Sequence, residues 1–287
     1  MRVTRAGQAF LAAAALVVTA LAASPAPAQS SDTSTRTEDQ REAPPSFAEF
    51  KASTFRDADG QYIVNGDEPI STERKLRQYY DRMVGSDDGA DGGKDDGSTS
   101  LVVNQDGGGD DVWSSSQVGN LTYCVSTAFG SDYGVVVDAM AAGAGLWEGA
   151  SSAVDFVHVS SADASCTTSN SSVLFSVEPT STTQYIARAF FPSSADFERN
   201  VLVNSYSLQT SGWPPSNILG HELGHSLGFR HEHTRPEAGT CFEDNNWRPL
   251  TPYDSSSIMH YPQCNGTSAD LSFSAYDGQG TRAVYGS

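Results

Sequence analysis

The feature that most restricts how this chain folds is the string HELGHSLGFRH at residues 221–231. Residues four apart on an α-helix are separated by about 40° around the axis and about 6 Å along it, so His221 and His225 face the same side. Gly228 follows where the helix would have to end, because glycine adopts the left-handed conformation at low cost. His231 can then return to the same side. The string therefore predicts a helix, a sharp turn and three imidazoles around one point.

Three imidazoles are a typical ligand set for catalytic zinc, and a carboxylate beside them typically acts on the zinc-bound water. Zinc binds histidine nitrogens at about 2.0–2.1 Å in a tetrahedral array, and a catalytic site keeps the fourth position open. We therefore expect one Zn²⁺ ion held by His221, His225 and His231. Glu222 projects beside the metal, where it can act as general base on a zinc-activated water. With each residue type at about one in twenty, the string arises by chance on the order of once in ten thousand such chains.

The spacing HExxHxxGxxH resembles that of the metzincin metallopeptidases, in which a methionine lies in a tight turn beneath the zinc. Met259, in the sequence SIMHY, lies 28 residues after His231. The sequences HEHTR at residues 231–235 and IMHY at residues 258–261 are similar to the astacin-type motif and methionine turn. The resemblance implies that Tyr261 is an additional zinc ligand that moves to stabilise the reacting oxyanion. It also implies that Met259, like Gly228, supports the site.

The likeness to astacins covers these two motifs and leaves the subgroup open. Residues 113–287 are fewer than we expect for an astacin, and the sequence AFFP at residues 189–192 instead resembles the substrate-side edge strand of matrixins. A matrixin-like prosegment cysteine is missing, because no cysteine precedes Cys124. A bacterial subgroup such as the HEIGH-type metallopeptidases is compatible with both observations.

The pattern after Trp113 predicts an α/β (α+β) domain, because a strand and a helix are followed by several strands and a second helix. The expected strands are residues 121–126, 154–159, 172–177, 185–191 and 200–205. The first expected helix is residues 132–149, and the last is a closing helix at residues 274–285. Between them, a second helix begins at residues 214–216, with Ser216 as its N-cap. The metzincin resemblance implies a twisted, mostly parallel sheet with an antiparallel edge strand, an active-site helix and a small C-terminal subdomain with the methionine turn.

The chain begins with the features of a signal peptide, which we assign to residues 1–28. Arg2 and Arg5 precede an apolar run at residues 10–23, and Ala26-Pro27-Ala28 offers a cleavage site. The alternative is an N-terminal membrane anchor, but this run is shorter than the roughly 20 residues that a spanning helix needs. We therefore expect a secreted, extracellular protein.

Residues 29–112 form an acidic N-terminal region that we interpret as a candidate prosegment with Gly/Asp-rich linkers, at residues 85–97 and 106–111. Residues 113–287 would then be the zinc metallopeptidase catalytic domain. Asp67, in the sequence VNGD, resembles the aspartate by which astacin prosegments cap the zinc.

An acidic pattern earlier in the prosegment raises the question of calcium. Asp57-x-Asp59-Gly60 resembles part of a calcium-binding loop, although the spacing to the glycine differs and the closing glutamate is absent.

The four cysteines predict two disulfides, because an exported protein folds in an oxidising compartment. Four cysteines allow three pairings, and we expect Cys124–Cys166 and Cys241–Cys264 because each joins sequence neighbours. The alternative is a cysteine-ligated zinc site, which is disfavoured because the chain has no C-x-x-C spacing.

The charge balance limits the partners. The chain has 17 Lys+Arg against 35 Asp+Glu, which disfavours nucleic acid and anionic membranes. We expect a monomeric endopeptidase whose extended protein or peptide substrates add as a strand to residues 185–191. The alternatives are a zinc-bearing extracellular binding or adhesion module without turnover, and a metal-dependent hydrolase of non-peptide substrates.

Overall fold

The computed structural model describes residues 44–85 and 101–287, all of which belong to the compact unit Pro44–Ser287. The expected signal peptide at residues 1–28 and nearly all of the expected linker at residues 85–97 lie outside the described residues. Among the residues that are described, no helix is long and apolar enough to cross a membrane.

Residues 44–85, here called the N-terminal segment, form a small unit of helices and strands around their own apolar cluster. The elements are α1 (Phe47–Ser53), β1 (Phe55–Arg56), β2 (Tyr62–Val64), β3 (Glu68–Ile70) and α2 (Glu73–Gly85). The three strands form an antiparallel sheet in the order β1-β2-β3. Leu76 and Tyr79 on α2 pack with Phe47 and Tyr62 in a buried cluster. The segment therefore has a small apolar core of its own.

The remaining elements follow in the order β4 (Val102–Asp106), β5 (Gly109–Asp110), β6 (Leu121–Val125), α3 (Tyr133–Ala150), β7 (Phe156–His158), β8 (Phe175–Pro179), β9 (Ala187–Arg188), β10 (Asn200–Val203), α4 (Ser205–Thr210), α5 (Pro215–Ser226), β11 (Phe229–Arg230), β12 (Trp247–Pro249) and α6 (Ala275–Tyr285). A five-stranded sheet has the order β7-β6-β8-β10-β9. The first four strands are parallel, and β9 runs antiparallel to β10 at the edge. This topology confirms the expected fold class, although only Ala187 and Arg188 of the expected edge strand pair with β10.

Two helices cross at a very close distance on the core side of this sheet. A Cβ atom on Gly143 of α3 would lie 2.7 Å from the backbone nitrogen of Gly220 on α5. The indole nitrogen of Trp147 donates to the Gly220 carbonyl at 2.8 Å. Val136, Met140, Ala144 and Trp147 of α3 are all buried. Glycine at position 143 therefore allows α5 to lie against the core.

The start of α5 differs from the expectation. Pro214 is the N-cap and Pro215 is the first helical residue, so Ser216 lies inside the helix rather than capping it. Proline is favoured at this first position because its missing N–H has no partner within the helix anyway.

The second Gly/Asp-rich stretch is not a linker, which corrects our prediction for residues 106–111. Val102 and Val103 are fully buried, and β4 pairs with β11 and β12. Asp106 pairs with Gly109 across Gly107 and Gly108, whose φ angles of 59° and 85° are both positive. A two-residue turn of this kind favours glycine, so the composition reflects a hairpin. The sheet of β4, β11 and β12 therefore includes residues before the expected boundary at residue 113.

Two disulfide bonds and a helix cap stabilise the part of the chain after residue 113. Cys124 is bonded to Cys166 and Cys241 to Cys264, as expected from the sequence. Helix α6 begins at a capping box in which Ser274 accepts from the backbone of Asp277 and the Asp277 side chain accepts from the backbone of Ser274.

The contact between α3 and α5 leads to a prediction with a matched control. Alanine is favoured over glycine within a helix by about 1 kcal/mol. Gly145→Ala should therefore stabilise the protein, because a Cβ there has nothing within 4 Å. Gly143→Ala should instead lower the free energy of unfolding by about 1–3 kcal/mol, because the methyl group would press on the backbone of α5. Urea denaturation of both variants measures this, and equal stabilisation at the two positions would contradict the packing described.

Candidate metal centre

Helix α5 carries the first part of the site. His221, Glu222 and His225 are all buried, with relative exposures of 3% or less. The helix ends at Ser226, and the chain turns at Gly228, whose φ of 97° lies in the left-handed region. A Cβ there would lie 2.1 Å from the Asp111 carbonyl oxygen, so both the turn and the packing require glycine. His231, on the returning chain, is fully buried.

Each histidine ring is oriented by a hydrogen bond at Nδ1. The acceptors are the Ile258 carbonyl for His221 at 2.7 Å, the Phe229 carbonyl for His225 at 2.8 Å, and the Glu243 carboxylate for His231 at 2.6 Å. Because a carbonyl or carboxylate accepts, Nδ1 of each ring carries the hydrogen and Nε2 carries the lone pair. The three lone pairs are therefore available to a metal ion.

The three Nε2 atoms meet a fourth donor, the carboxylate of Asp67 from the N-terminal segment. Its Oδ1 lies 3.2 Å from His231 Nε2 and 3.5 Å from His225 Nε2, and its Oδ2 lies 3.2 Å from His221 Nε2. Two ligands of a tetrahedral zinc ion are separated by about 3.3–3.4 Å when the bonds are about 2.0–2.1 Å long. His225 Nε2 and Asp67 Oδ1 are also buried without a hydrogen-bond partner. Spacing, donor type and unsatisfied atoms all fit zinc.

A tight turn delivers Asp67 to this position. Strands β2 and β3 pair through Val64 and Glu68, so Asp67 is the last of three connecting residues. The first two, Asn65 and Gly66, have φ angles of 57° and 101°. An Asn-Gly pair is favoured in hairpin turns because both residues tolerate positive φ. Asp67 is 2% exposed, and its carboxylate also accepts a hydrogen bond from the Tyr261 hydroxyl.

Glu222 lies beside the four donors but is not one of them. Its Oε2 atom is buried and has no hydrogen-bond partner among the described residues. Burial, followed by the negative charge of Asp67, raises the pKa of the Glu222 carboxyl well above its ordinary value. The charge of Asp67 therefore disfavours the ionised form of Glu222.

The methionine turn, residues 257–261, packs against α5. Met259 is fully buried, and a Cβ on Gly224 would lie 2.4 Å from its sulfur. The turn is anchored by Asp277 of α6, whose carboxylate accepts from the Ile258 backbone at 2.9 Å. Burial raises the pKa of the Asp277 carboxyl to about 6. Because the Ile258 carbonyl orients His221, α6 supports the site through this turn.

Glu243 is the main residue of the site that the sequence did not identify. It orients His231 and also accepts from Arg230 at 2.9 Å. It follows Cys241, whose disulfide to Cys264 ties this loop to the chain just after Tyr261. No local pattern marks it, because its partner lies 12 residues away on an irregular part of the chain.

The structure brings together the residues predicted for the site, and it gives others different partners. His221, His225, His231 and Tyr261 surround the Asp67 carboxylate, and Glu222 lines the same cavity as Asp67. The two acidic residues of the proposed calcium loop, Asp57 and Asp59, instead bind Arg188 of β9. Calcium binding by that loop stays a prediction.

Comparison with known proteins gives local matches. No protein-family model matches this chain. High choriolytic enzyme 2 of Oryzias latipes is 39% identical over 19% of this chain and 25% of its own length. Zinc metalloproteinase nas-30 of Caenorhabditis elegans is 38% identical over 17% of this chain and 9% of its own length. A solved structure of myroilysin aligns with a TM-score of 0.45 at 20% identity, over 64% of this chain and 98% of that one.

The curated matches support an astacin-like metzincin. That is the assignment expected from the zinc motif and the methionine turn. The chain spans a quarter or less of the length of the curated relatives named above.

The contact between Glu243 and His231 leads to a prediction on metal affinity. Carboxylates that orient a ligating histidine typically change metal affinity by about 10- to 100-fold when they are altered. Glu243→Gln should therefore weaken zinc binding by about that factor, measured by competition with a fluorescent zinc chelator. Glu237→Gln is the matched control, because Glu237 lies nearby, is exposed and pairs with Arg235 rather than with a histidine. Equal affinities for the two variants would contradict the role given to Glu243.

Proposed function

We propose that this chain is a secreted, zinc-dependent endopeptidase in which His221, His225 and His231 hold the metal and Glu222 is the general base. The observation that carries the proposal is the convergence of three oriented imidazoles and one carboxylate at spacings close to those of a tetrahedral zinc site. When bound, zinc acts as a Lewis acid that acidifies water and polarises a carbonyl.

Glu222 would move the proton in this reaction. Its buried Oε2 atom has no competing donor, so it is available to accept a proton from water and later pass it to the leaving amine. The charge of Asp67 contributes to the raised pKa of Glu222, so departure of Asp67 would lower that pKa toward the working range.

Tyr261 would act in two states of the protein. While the N-terminal segment is bound, its hydroxyl donates to Asp67, and its ring stacks on His221 with centroids 5.3 Å apart. Once Asp67 leaves, the same hydroxyl has lost its acceptor and can donate to an oxygen that becomes charged during attack. Asp67 thus keeps the enzyme latent by occupying the place of water and of the substrate carbonyl.

The cleft supports binding of an extended peptide. Strand β9 is the terminal strand of the five-stranded sheet, and within residues 44–85 and 101–287 it pairs with β10 alone. A cavity of about 210 Å³, lined by Trp213, Ile218 and Leu271 among others, opens beside Glu222 and can receive an apolar side chain. An extended protein segment that adds to β9 would place its backbone across the site. We expect the enzyme to act as a monomer.

A zinc-bearing binding module without turnover remains the alternative, and Glu222 argues against it. A structural zinc site is closed by four protein ligands and has no use for a buried carboxylate beside them. Here the fourth donor, Asp67, comes from the candidate prosegment, so its removal opens the site.

The function can be tested with three forms of the full chain and a casein substrate. The wild type should be latent. Asp67→Ala should raise hydrolysis by about tenfold or more, because it removes a buried charge that pairs with the metal centre. Addition of Glu222→Gln to Asp67→Ala should reduce the rate by about 10²- to 10⁴-fold while zinc content stays the same.

The readouts are the release of casein fragments, with and without a zinc chelator, and elemental analysis of zinc. Hydrolysis that persists in the double variant would rule out Glu222 as the base. A zinc-loaded Asp67→Ala protein that cleaves no protein or peptide would favour the binding module.

A further inference from the structure

His233 is a buried histidine that lies beside the proposed metal centre without being one of its four donors. It belongs to a short 3₁₀ turn, Glu232–Thr234, that begins immediately after His231. It is 2% exposed. Its ring stacks on the ring of His231 with centroids 4.6 Å apart, and on the ring of Tyr261 with centroids 5.0 Å apart. His233 therefore contacts both a proposed zinc ligand and the proposed oxyanion donor.

Two hydrogen bonds attach this 3₁₀ turn to the methionine turn. The Glu232 N–H donates to the Met259 carbonyl at 2.8 Å. The Tyr261 N–H donates to Nδ1 of His233 at 3.2 Å. Because Nδ1 of His233 accepts, it carries the lone pair, and Nε2 of the neutral ring carries the hydrogen. The position of Tyr261 relative to His231 thus depends on a side chain as well as on the backbone.

The other nitrogen of His233 faces the carboxylate that orients the third zinc ligand. Its Nε2 lies 3.3 Å from Oε1 of Glu243. The same oxygen accepts from Nδ1 of His231 at 2.6 Å. A single imidazole therefore joins two parts of the site, because one nitrogen holds the backbone of Tyr261 and the other holds the carboxylate behind His231.

These contacts do not involve the N-terminal segment. His233, Glu243 and Tyr261 all belong to the part of the chain after residue 101. In the latent protein the Tyr261 hydroxyl is also held by Asp67, and this contact is lost when the segment leaves. A donor to a developing charge must be in place before attack, since a misplacement of about 1 Å can cost about 100-fold in rate. After the segment has left, the contacts with His233 are still present to hold Tyr261 in place.

We propose that His233 is the positioning residue for Tyr261. Its Nδ1 fixes the tyrosine backbone, so that the hydroxyl can reach the substrate oxygen that becomes charged during attack. Its Nε2 has a separate effect, because it supports the Glu243 carboxylate that orients a zinc ligand. The proposal rests on the proposed peptidase function and adds a residue to that same site. Loss of the bond at Nδ1 lowers kcat, whereas loss of the contact at Nε2 weakens zinc binding.

Two amide substitutions separate these effects, because each retains one of the two contacts. The side-chain oxygen of His233→Asn can take the place of Nδ1, and the side-chain nitrogen of His233→Gln can take the place of Nε2. Both variants are made in the full chain that carries Asp67→Ala, and kcat and KM are measured on casein-derived peptides with zinc in excess. Zinc affinity is measured separately by competition with a fluorescent chelator.

We expect His233→Gln to lower kcat by about 10- to 100-fold, with KM and zinc affinity little changed. His233→Asn should instead retain most of kcat and weaken zinc binding by about tenfold. His158→Gln is the control, because His158 of β7 contacts Asp163 rather than a group of the site. It should change neither quantity.

A double-mutant cycle tests whether His233 acts through Tyr261. Tyr261→Phe alone should lower kcat by about 10²- to 10³-fold. Addition of His233→Gln should lower kcat by less than about threefold more, because the hydroxyl that His233 positions is already absent. His233→Phe, which keeps an aromatic ring but neither polar contact, should lower both kcat and zinc affinity. It supplies a second variant if an amide variant does not fold.

The results that would overturn the proposal can be distinguished from failure of the proposed function. Equal kcat values for His233→Gln and His233→Asn, or losses that multiply when His233→Gln is combined with Tyr261→Phe, would refute the positioning role alone. Absence of cleavage of every peptide by the zinc-loaded Asp67→Ala protein would refute the proposed peptidase function and the positioning role with it.

Discussion

The geometry of the site depends on three hydrogen bonds at the Nδ1 atoms of His221, His225 and His231. Two acceptors are backbone carbonyls, and the third is the Glu243 carboxylate. Backbone carbonyls cannot rotate independently of the chain, so the positions of the methionine turn and of β11 determine the direction of the first two rings. The close packing of α3 on α5, the disulfide at Cys241 and the anchoring of the turn by Asp277 all contribute to these three bonds.

The N-terminal segment supplies negatively charged side chains to a site that presents metal-binding and positively charged groups. The chain as a whole is strongly acidic, with a formal net charge of −18, but the site presents three imidazole nitrogens and the guanidinium of Arg188. In the segment, Asp67 lies among the three imidazoles, and Asp57 and Asp59 pair with Arg188. The segment can cover the cleft because its carboxylates pair with these groups.

The sequence predicted the parts of the site that depend on local geometry. His221 and His225 share a helix face because of their spacing, and Gly228 marks the turn because of its backbone freedom. The disulfides also join near neighbours in sequence. The Asn-Gly turn before Asp67 was a usable signal for a hairpin, and the glycines at residues 107–109 were a similar signal that composition alone misread as a linker.

The remaining parts depend on contacts between distant positions. Asp57 and Arg188 are separated by 131 residues, so an acidic pair that resembles a calcium loop acquires its partner only in the folded protein. Glu243 and Asp277 act through other residues, and no spacing relates them to the zinc motif. Gly224 is needed because of the sulfur of Met259, which the helix pattern alone does not reveal.

The central claim is that three histidines and Asp67 surround one zinc ion, and zinc K-edge X-ray absorption of the purified full chain measures this directly. The account predicts three imidazoles and one carboxylate oxygen at about 2.0–2.1 Å. It also predicts that the imidazole scattering is unchanged in Asp67→Ala, where water replaces the carboxylate. Fewer than three imidazoles, or a sulfur ligand in the first coordination sphere, would contradict it.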